Sequence, residues 1–235
     1  MKSFVLASLL ALASLSPAGA TLLSTLLLPG GSLSNGSITI DDFAFTRTCG
    51  GTGVCAPADA SGIDVTLVGN QIHFIGGFSA LNGGGGFASA DFLIAYDLVS
   101  VPSIDRVGLL FNGAVVGDQS FAQVVETIIT PIAHVAGQGS VNAPTGPLVT
   151  IINLDDAYHA MRITKDIFLL GSDTEGLGVS SISFIDQAYA TPGQVTPFCV
   201  VGVDCEVTPE PSTYATLGIG LISFYFARRR SHGKS

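Results

Sequence analysis

Residues 63–78, IDVTLVGNQIHFIGGF, give the clearest indication of the fold. Two runs rich in β-branched and aromatic residues, Ile63 to Val68 and Gln71 to Phe78, flank the pair Gly69-Asn70. Two turn residues between runs of this kind indicate a β-hairpin with a tight turn. The stretch therefore predicts two adjacent antiparallel strands.

Similar runs recur along the body of the chain between Gly and Asn turns. Ser37 to Phe45 alternates polar and apolar residues through most of its length, as a half-buried strand should, and Ala88 to Val99 places Phe92, Ile94 and Tyr96 on one face. Further strands are predicted at 105–111, 114–116, 121–130, 148–154, 159–169 and 179–189, with Asn112-Gly113 as a second hairpin turn. Because long stretches with a helical period are missing, we expect an all-β fold: a single antiparallel β-sandwich or jelly-roll-like ectodomain.

Residues 1–20 have the three parts of a secretory signal peptide. Lys2 supplies a positive charge, Phe4 to Leu15 is apolar, and the small residues Ala18 and Ala20 form a cleavage site. We therefore expect the Sec translocon to export the chain and signal peptidase to cut it after Ala20.

An N-terminal membrane anchor is the alternative to this signal peptide. A second apolar stretch, Leu22 to Leu28, would extend such an anchor. Pro17 and Gly19 interrupt the longer run with helix breakers, which favours cleavage.

Near the other end, Tyr214 to Ala227 is an uncharged and mostly apolar run that is followed by Arg228, Arg229 and Arg230. Fourteen helical residues span about 21 Å, against roughly 30 Å for the hydrocarbon core of a bilayer. By length alone, such a segment is typical of a buried core helix. Three consecutive arginines are hard to bury, however, and they suit the cytoplasmic end of a stop-transfer segment. We therefore expect a short transmembrane helix.

The sequence TPEPSTY at 208–214, the apolar run after it and the arginine cluster closely resemble the PEP-CTERM sorting signal of exported proteins from Gram-negative bacteria that make exopolysaccharide. The resemblance covers about the last 28 residues. It implies that an exosortase-type membrane protease recognises Pro209, Glu210 and Pro211, cleaves nearby, and releases or transfers the ectodomain toward the cell surface. The sequence departs from the pattern at Thr208, where Val is common, and in the extension at 231–235.

These features divide the chain into four parts: a signal peptide at 1–20, a β-sandwich ectodomain at 21–191, a Pro-containing linker at 192–208 and a sorting tail at 209–235. The protein would be anchored in the inner membrane before processing. It would then reach the cell surface or the extracellular matrix.

The charge of the exported part excludes one class of partner. Between residues 21 and 210 there are eighteen acidic residues and four basic ones, a difference of fourteen negative charges. Nucleic acid would be repelled, whereas contact with surface polymers through cations is permitted. The four basic residues are Arg47, Arg106, Arg162 and Lys165.

Four cysteines form two pairs, Cys49 with Cys55 and Cys199 with Cys205, each with five intervening residues. An even number of cysteines in an exported chain indicates disulfides, and short separations favour the two local bonds among the three possible pairings. A zinc site is the alternative, but the spacing is not the usual one and no histidine lies beside the cysteines.

No catalytic motif is evident in the sequence, and we expect neither an enzyme nor a cofactor. His159 follows Asp156 by three residues, but no Gly-x-Ser-x-Gly elbow supplies a serine. Calcium has one weak pair of candidate ligands, Asp173 and Glu175 in a polar loop. Asp41 and Asp42 are adjacent on a predicted strand, so we expect them to point to opposite faces.

Three hypotheses about function follow. The first is a non-enzymatic envelope or matrix protein, sorted through the tail and associated with exopolysaccharide or the cell surface. The second is a carbohydrate-binding β-sandwich module, which two coplanar aromatic rings on an exposed sheet face would favour. The third is a secreted hydrolase, which a pocket combining His134 or His159 with a carboxylate and a serine would favour.

Overall fold

Two long strands organise the molecule because each continues from one layer of a β-sandwich into the other. The computed structural model describes residues 19–83, 86–174 and 177–194. Its helical elements are the single turn α1 at Leu23–Leu26 and a 3-10 turn at Ala60–Gly62. The strands are β1 Thr21–Leu22, β2 Leu33–Ser34, β3 Ile38–Gly51, β4 Val54–Ala56, β5 Asp64–Val68, β6 Gln71–Asn82, β7 Gly86–Val116, β8 Phe121–Ile129, β9 Val135–Ala143, β10 Val149–Asp173 and β11 Gly178–Ala190.

The front sheet has the strand order β3, β7, β10, β8, β9 and uses residues 86–100 of β7 and 160–173 of β10. The back sheet has the order β1, β5, β6, β11, β7, β10 and uses residues 106–116 of β7 and 149–153 of β10. All these strand pairs are antiparallel. Strands β7 and β10 pass from one sheet to the other where their pairing with each other is irregular, between Asn153 and Ala160 on β10. The predicted antiparallel β-sandwich is confirmed.

The core lies between the inward faces of the two sheets. Phe92, Ile94 and Tyr96 of β7 are fully buried on one face, as their alternation predicts. Phe74 and Phe78 of β6 approach them from the back sheet, with ring centroids 5.9 Å from Tyr96 and 5.3 Å from Phe92, respectively. Interlocking aromatic rings therefore hold the two sheets together.

The hairpin at 63–78 forms as predicted. Strands β5 and β6 pair from Val68 opposite Gln71 to Asp64 opposite Ile75, with Gly69 and Asn70 in the turn. Gly69 has a φ of +56°, a conformation that glycine adopts without a steric penalty.

The predicted hairpin at Asn112-Gly113 is wrong. Both residues lie inside β7 and pair with β11, where a bulge occurs between Ile182 and Phe184. A Cβ at Gly113 would stand 2.8 Å from the carbonyl oxygen of Ser181. The glycine thus permits a close approach between strands rather than a turn.

Sequence patterns did not predict β9. Gly137 and Gly139 give this strand low β-propensity, but they lie against Ile152 of β10, 2.8 Å and 2.6 Å from where each Cβ would stand. The close packing of β9 on β10 explains why glycine occurs there.

The apolar stretch after residue 20 belongs to the β domain. Thr21 and Leu22 pair with β5, and Leu23 and Leu26 of α1 are buried in the core. Within the described ranges, no helix is long and apolar enough to cross a membrane. Residues 1–18 of the predicted signal peptide at 1–20 and the transmembrane run at 214–227 lie outside the described residues, and both elements stay predictions.

Candidate functional site

The front groove is a cleft of about 530 Å³ on the outer side of the front sheet. It lies between the ends of β3, β7 and β10 and the turn that follows β8. Its walls combine charged and apolar side chains, among them Asp41, Asp97, Val99, Ile129, Pro131 and Arg162. A cleft of this size accommodates a small ligand or one segment of a polymer.

Two carboxylates position Arg162 in this groove. Its Nη1 donates hydrogen bonds to Asp97 Oδ1 at 2.7 Å and to Asp42 Oδ2 at 2.9 Å. Arg162 and Asp97 are register partners on β10 and β7, so their side chains share the outer face. Partial burial opposes the charge of Arg162, but the hydrogen bonds from Asp42 and Asp97 outweigh it and raise its pKa.

A bulge in β3 places Asp42 against Arg162. The register shifts between Asp41 and Ala44, and Asp42 has a φ of +47°, a region that aspartate tolerates better than most residues. Asp41 pairs with Asp97 and shares its face. The expectation that Asp41 and Asp42 point to opposite faces is therefore wrong, since regular alternation ends at the bulge.

Beside the groove, a hydrogen-bonded triad joins the turn after β8 to the corner of β10. His134 Nε2 contacts Asp155 Oδ2, and the Tyr158 hydroxyl donates to Asp155 Oδ1 at 2.7 Å. The hydrogen bond from His134, followed by that from Tyr158, lowers the pKa of Asp155. The bond to Asp155 in turn raises the pKa of Tyr158 to about 12. The triad stabilises a turn that forms one wall of the groove.

Two histidines, His134 and His159, were candidates for a hydrolase site. One of them contacts a carboxylate, and neither is hydrogen-bonded to a serine hydroxyl. His134 meets Asp155, and a tyrosine rather than a serine completes that arrangement. His159 Nδ1 donates to the backbone carbonyl of Ser100 at 2.9 Å. Its sequence neighbour Asp156 accepts a hydrogen bond from the backbone amide of Ala157. The His–carboxylate–serine pocket that would favour a hydrolase is not assembled from these contacts.

A second polar assembly lies in the core, and we call it the buried polar cluster: Tyr96, Glu126, Lys165, Gln187 and Tyr189. All five side chains are essentially inaccessible to solvent. Lys165 Nζ donates to Glu126 Oε2, and Gln187 Nε2 donates to Glu126 Oε1 at 2.9 Å. The Tyr96 hydroxyl donates to Gln187 Oε1 and lies 3.0 Å from that of Tyr189.

The alternation of side chains along each strand places these polar residues on the inward face. Glu126 alternates with Val124 and Ile128 on β8, and Lys165 alternates with Ile163 and Ile167 on β10. Sequence analysis counted Lys165 among the four basic residues but assigned a role to neither Lys165 nor Glu126. The sequence did contain a signal for this cluster, because two residues of opposite charge occupy positions that alternation assigns to the apolar faces of two predicted strands.

Burial dominates the ionisation of this pair. Removal from water raises the pKa of Glu126, although the Lys165 ammonium opposes the shift. The same removal from water lowers the pKa of Lys165, against the attraction of Glu126. Both effects favour the neutral acid and the neutral amine.

Exposed aromatic stacking, the feature that would favour a carbohydrate-binding module, has little support. Tyr96 and Tyr189 are in the core, and Tyr158 is only partly exposed. Phe87 and Phe168 are exposed, but the ring pairs found in the described ranges join core residues or Phe45 instead.

The predicted disulfide between Cys49 and Cys55 is present and joins the end of β3 to β4. Cys199 and Cys205 lie outside the described residues. So does Glu175, whereas Asp173 ends β10. In the described ranges no group of three His, Cys, Asp or Glu side chains could hold a metal ion.

Three solved structures illustrate the structural likenesses of this chain. A Glycosylation Associate Protein (Gap123) complex from Streptococcus agalactiae is 11% identical with a TM-score of 0.30, over 68% of this chain and 25% of that one. A carbohydrate-binding module of the beta-sandwich superfamily is 13% identical with a TM-score of 0.29, over 63% and 57%. TmCBM61 in complex with beta-1,4-galactotriose is 14% identical with a TM-score of 0.29, over 60% and 88%.

Similarity at this level says nothing about ligand or activity. The chain also spans only about a quarter of the length of the first of these proteins. No curated protein matches the sequence significantly.

The sorting residues Pro209, Glu210 and Pro211 and the cluster Arg228 to Arg230 also lie outside the described residues. The family model of the PEP-CTERM protein-sorting motif matches residues 207–230, a range that contains all six of them. This motif indicates export and processing by an exosortase-type membrane protease. The chain therefore carries a PEP-CTERM protein-sorting motif at residues 207–230.

Proposed function

We propose that this protein is a non-enzymatic component of the cell surface or extracellular matrix, displayed after its tail is processed and associated with exopolysaccharide. The sorting motif at 207–230 is the observation that carries the proposal. The β-sandwich and its disulfide between Cys49 and Cys55 suit a protein that works outside the cell. The acidic excess of the exported part favours solubility and contact with polymers through divalent cations.

The tail acts through three consecutive parts. We expect Pro209 and Pro211 to favour an extended motif, because each ring fixes φ and because a residue before proline, here Glu210, avoids the helical region. An extended peptide fits a protease cleft. The apolar run 214–227 then keeps the motif at the periplasmic surface of the inner membrane, and the arginines resist passage through it.

Replacement of one motif residue tests the sorting step. We expect Glu210→Ala to leave export intact but to prevent removal of the tail, so that the uncut protein accumulates with the membrane. The measurement is the mass and the fractionation of the protein in a host that has the processing protease. Glu206→Ala, a matched change four residues upstream and outside the matched range, should be processed normally.

Normal trimming and display of the Glu210→Ala protein would show that the motif is incidental. Neutral residues in place of Arg228 to Arg230 should instead weaken retention and let uncut protein escape. If both variants behave like the parent, the tail has no sorting role.

Polymer binding in the front groove is the second candidate function. Free carboxylate oxygens of Asp41, beside the apolar side chains of Val99 and Pro131, could accept hydrogen bonds from sugar hydroxyls or share a divalent cation with an acidic polymer. Binding of the purified protein to the exopolysaccharide of its host tests this by calorimetry, with and without calcium. Asp41→Ala should weaken binding, and Asp64→Ala on the back sheet should not. Equal binding by both variants would exclude the groove.

A further inference from the structure

One carboxyl group in the core touches both an amine and a primary amide. Glu126 Oε2 accepts from Lys165 Nζ, and Glu126 Oε1 accepts from Gln187 Nε2 at 2.9 Å. The three side chains are fully buried. They come from three strands, since Glu126 and Lys165 are register partners in the front sheet and Gln187 belongs to β11 in the back sheet.

A stability role does not explain this cluster well. Burial of an ion pair usually gives no more stability than apolar side chains of similar volume, because both charges lose their hydration. Much of the surrounding core is apolar, since Val124 and Ile128 alternate with Glu126, and Ile163 and Ile167 with Lys165, on the buried faces of their strands. Burial lowers the pKa of Lys165, which favours the uncharged and therefore nucleophilic form of the amine.

We propose that Lys165 and Gln187 react within the folded protein to form an intramolecular amide crosslink, with Glu126 transferring the proton. The product is an Nε-(γ-glutamyl)lysine bond between β10 and β11. Ammonia is the leaving group.

Glu126 contacts both reacting groups, one through each of its carboxyl oxygens. The Nζ lone pair of neutral Lys165 attacks Cδ of Gln187 and forms the new C–N bond. Glu126 takes a proton from Nζ at Oε2 and gives one to Nε2 from Oε1. The bond between Cδ and Nε2 then breaks, and ammonia departs. The step needs no oxidant, reductant or further reactant.

Tyr96 stabilises the charge that develops on the amide oxygen. Its hydroxyl donates to Gln187 Oε1, the atom that becomes negative in the tetrahedral intermediate. The Tyr189 hydroxyl, 3.0 Å away, donates to Tyr96 and so fixes its orientation. Folding supplies the rest of the rate, because it holds both reacting groups on the same buried carboxyl group, away from water.

The crosslink would tie the front sheet to the back sheet covalently. The disulfide between Cys49 and Cys55 instead closes a local loop on β3 and β4. A bond between sheets resists their separation by heat, by proteases or by force, and reductants do not break it. These properties suit a protein displayed outside the cell.

The mass of the reduced full-length protein tests the proposal directly. We expect it to be lower than the sequence mass by one ammonia, and a chymotryptic digest to contain a branched peptide in which Lys165 is joined to Gln187. Lys165→Met lacks the amine, and Glu126→Met keeps both reacting groups but lacks the proton carrier, so neither should lose ammonia. Gln138→Ala, a change at an exposed glutamine of β9, should lose it like the parent.

One further variant identifies the acyl group. Gln187→Glu should react with loss of water instead of ammonia, and its crosslinked product should have the same mass as the crosslinked parent. A parent protein of full sequence mass that is folded by circular dichroism overturns the proposal, whatever the variants do. Loss of water from the parent, with Lys165 joined to Glu126, overturns the assignment of Gln187.

Discussion

Substitution of Phe92 should destabilise the protein far more than substitution of Phe168, although the two positions are close in the paired strands. Phe92 on β7 is opposite Ile167 of β10, and the next residue, Phe168, is opposite Asp91. Phe92 is fully buried, whereas Phe168 is 37% exposed on the outer face. A shift of β7 by one residue would move Phe92 to the outer face, and a shift of β10 by one residue would move Phe168 into the core.

The surroundings of each ring determine how much stability its removal costs. The Phe92 ring packs edge-on against Phe78, with a centroid distance of 5.3 Å, and against Phe45 at 6.3 Å. Phe→Ala substitution at such a site costs about 3–5 kcal/mol, because the transfer free energy of the ring is lost and a cavity remains. Phe168→Ala should cost about 1 kcal/mol, a typical value for point substitutions.

Thermal and urea unfolding of both variants measures the difference. For a protein of this size each kcal/mol lowers Tm by roughly 2–4 °C, so we expect Phe92→Ala to lower Tm by about 6–20 °C. Phe168→Ala is the matched control because it removes the same ring. Equal losses, or a larger loss at Phe168, would refute the register of β7 and β10 and with it the placement of the core.

Three other outcomes are expected. Gly171→Ala should destabilise the protein by about 1–3 kcal/mol in urea unfolding, since its Cβ would lie 2.4 Å from the carbonyl oxygen of Ala80. The lowered pKa of Asp155 gives stability that is present above the ordinary carboxyl value of 3.8 and is lost as pH falls through the lowered value, so Asp155→Asn should have a Tm that falls less on acidification. Peptide mapping without reductant should recover Cys199 joined to Cys205.

Each of these outcomes has a control or a contrary result. Gly83→Ala, at a glycine with open space around its Cβ position, should change stability by less than about 0.5 kcal/mol. The same acid dependence in Asp155→Asn as in the parent would show that the triad does not contribute to stability. Cys199 linked to Cys49 would show that the local pairing is wrong.

The strands that sequence patterns located best have regular alternation and a turn whose residues fit its geometry. The hairpin around Gly69-Asn70 is of this kind, and both of its strands form as predicted. Asn112-Gly113 has the same turn chemistry but lies within β7, because pairing with β11 over the whole segment satisfies more backbone groups than a turn would. Local turn propensity is a weak preference that neighbouring strands override.

The alternation of polar and apolar residues also failed to predict the structure where the backbone departs from regular geometry or where glycines replace side chains. The bulge at Asp42 turned that carboxylate toward Arg162, which created part of the front groove. The glycines of β9 concealed a strand that tertiary packing requires. Neither feature has a signature that a single sequence reveals, since each depends on the strand beside it.

The sequence by itself determined the sorting tail and the fold class. The tail is a linear string of motif, apolar run and arginines, so neighbouring residues suffice to define it. The β class follows from alternation over a few residues. Only the tertiary structure decided the front groove and the buried polar cluster. Glu126 and Lys165 are 39 residues apart and Gln187 is 61 residues from Glu126, and they meet because strand register and the packing of two sheets bring distant segments together.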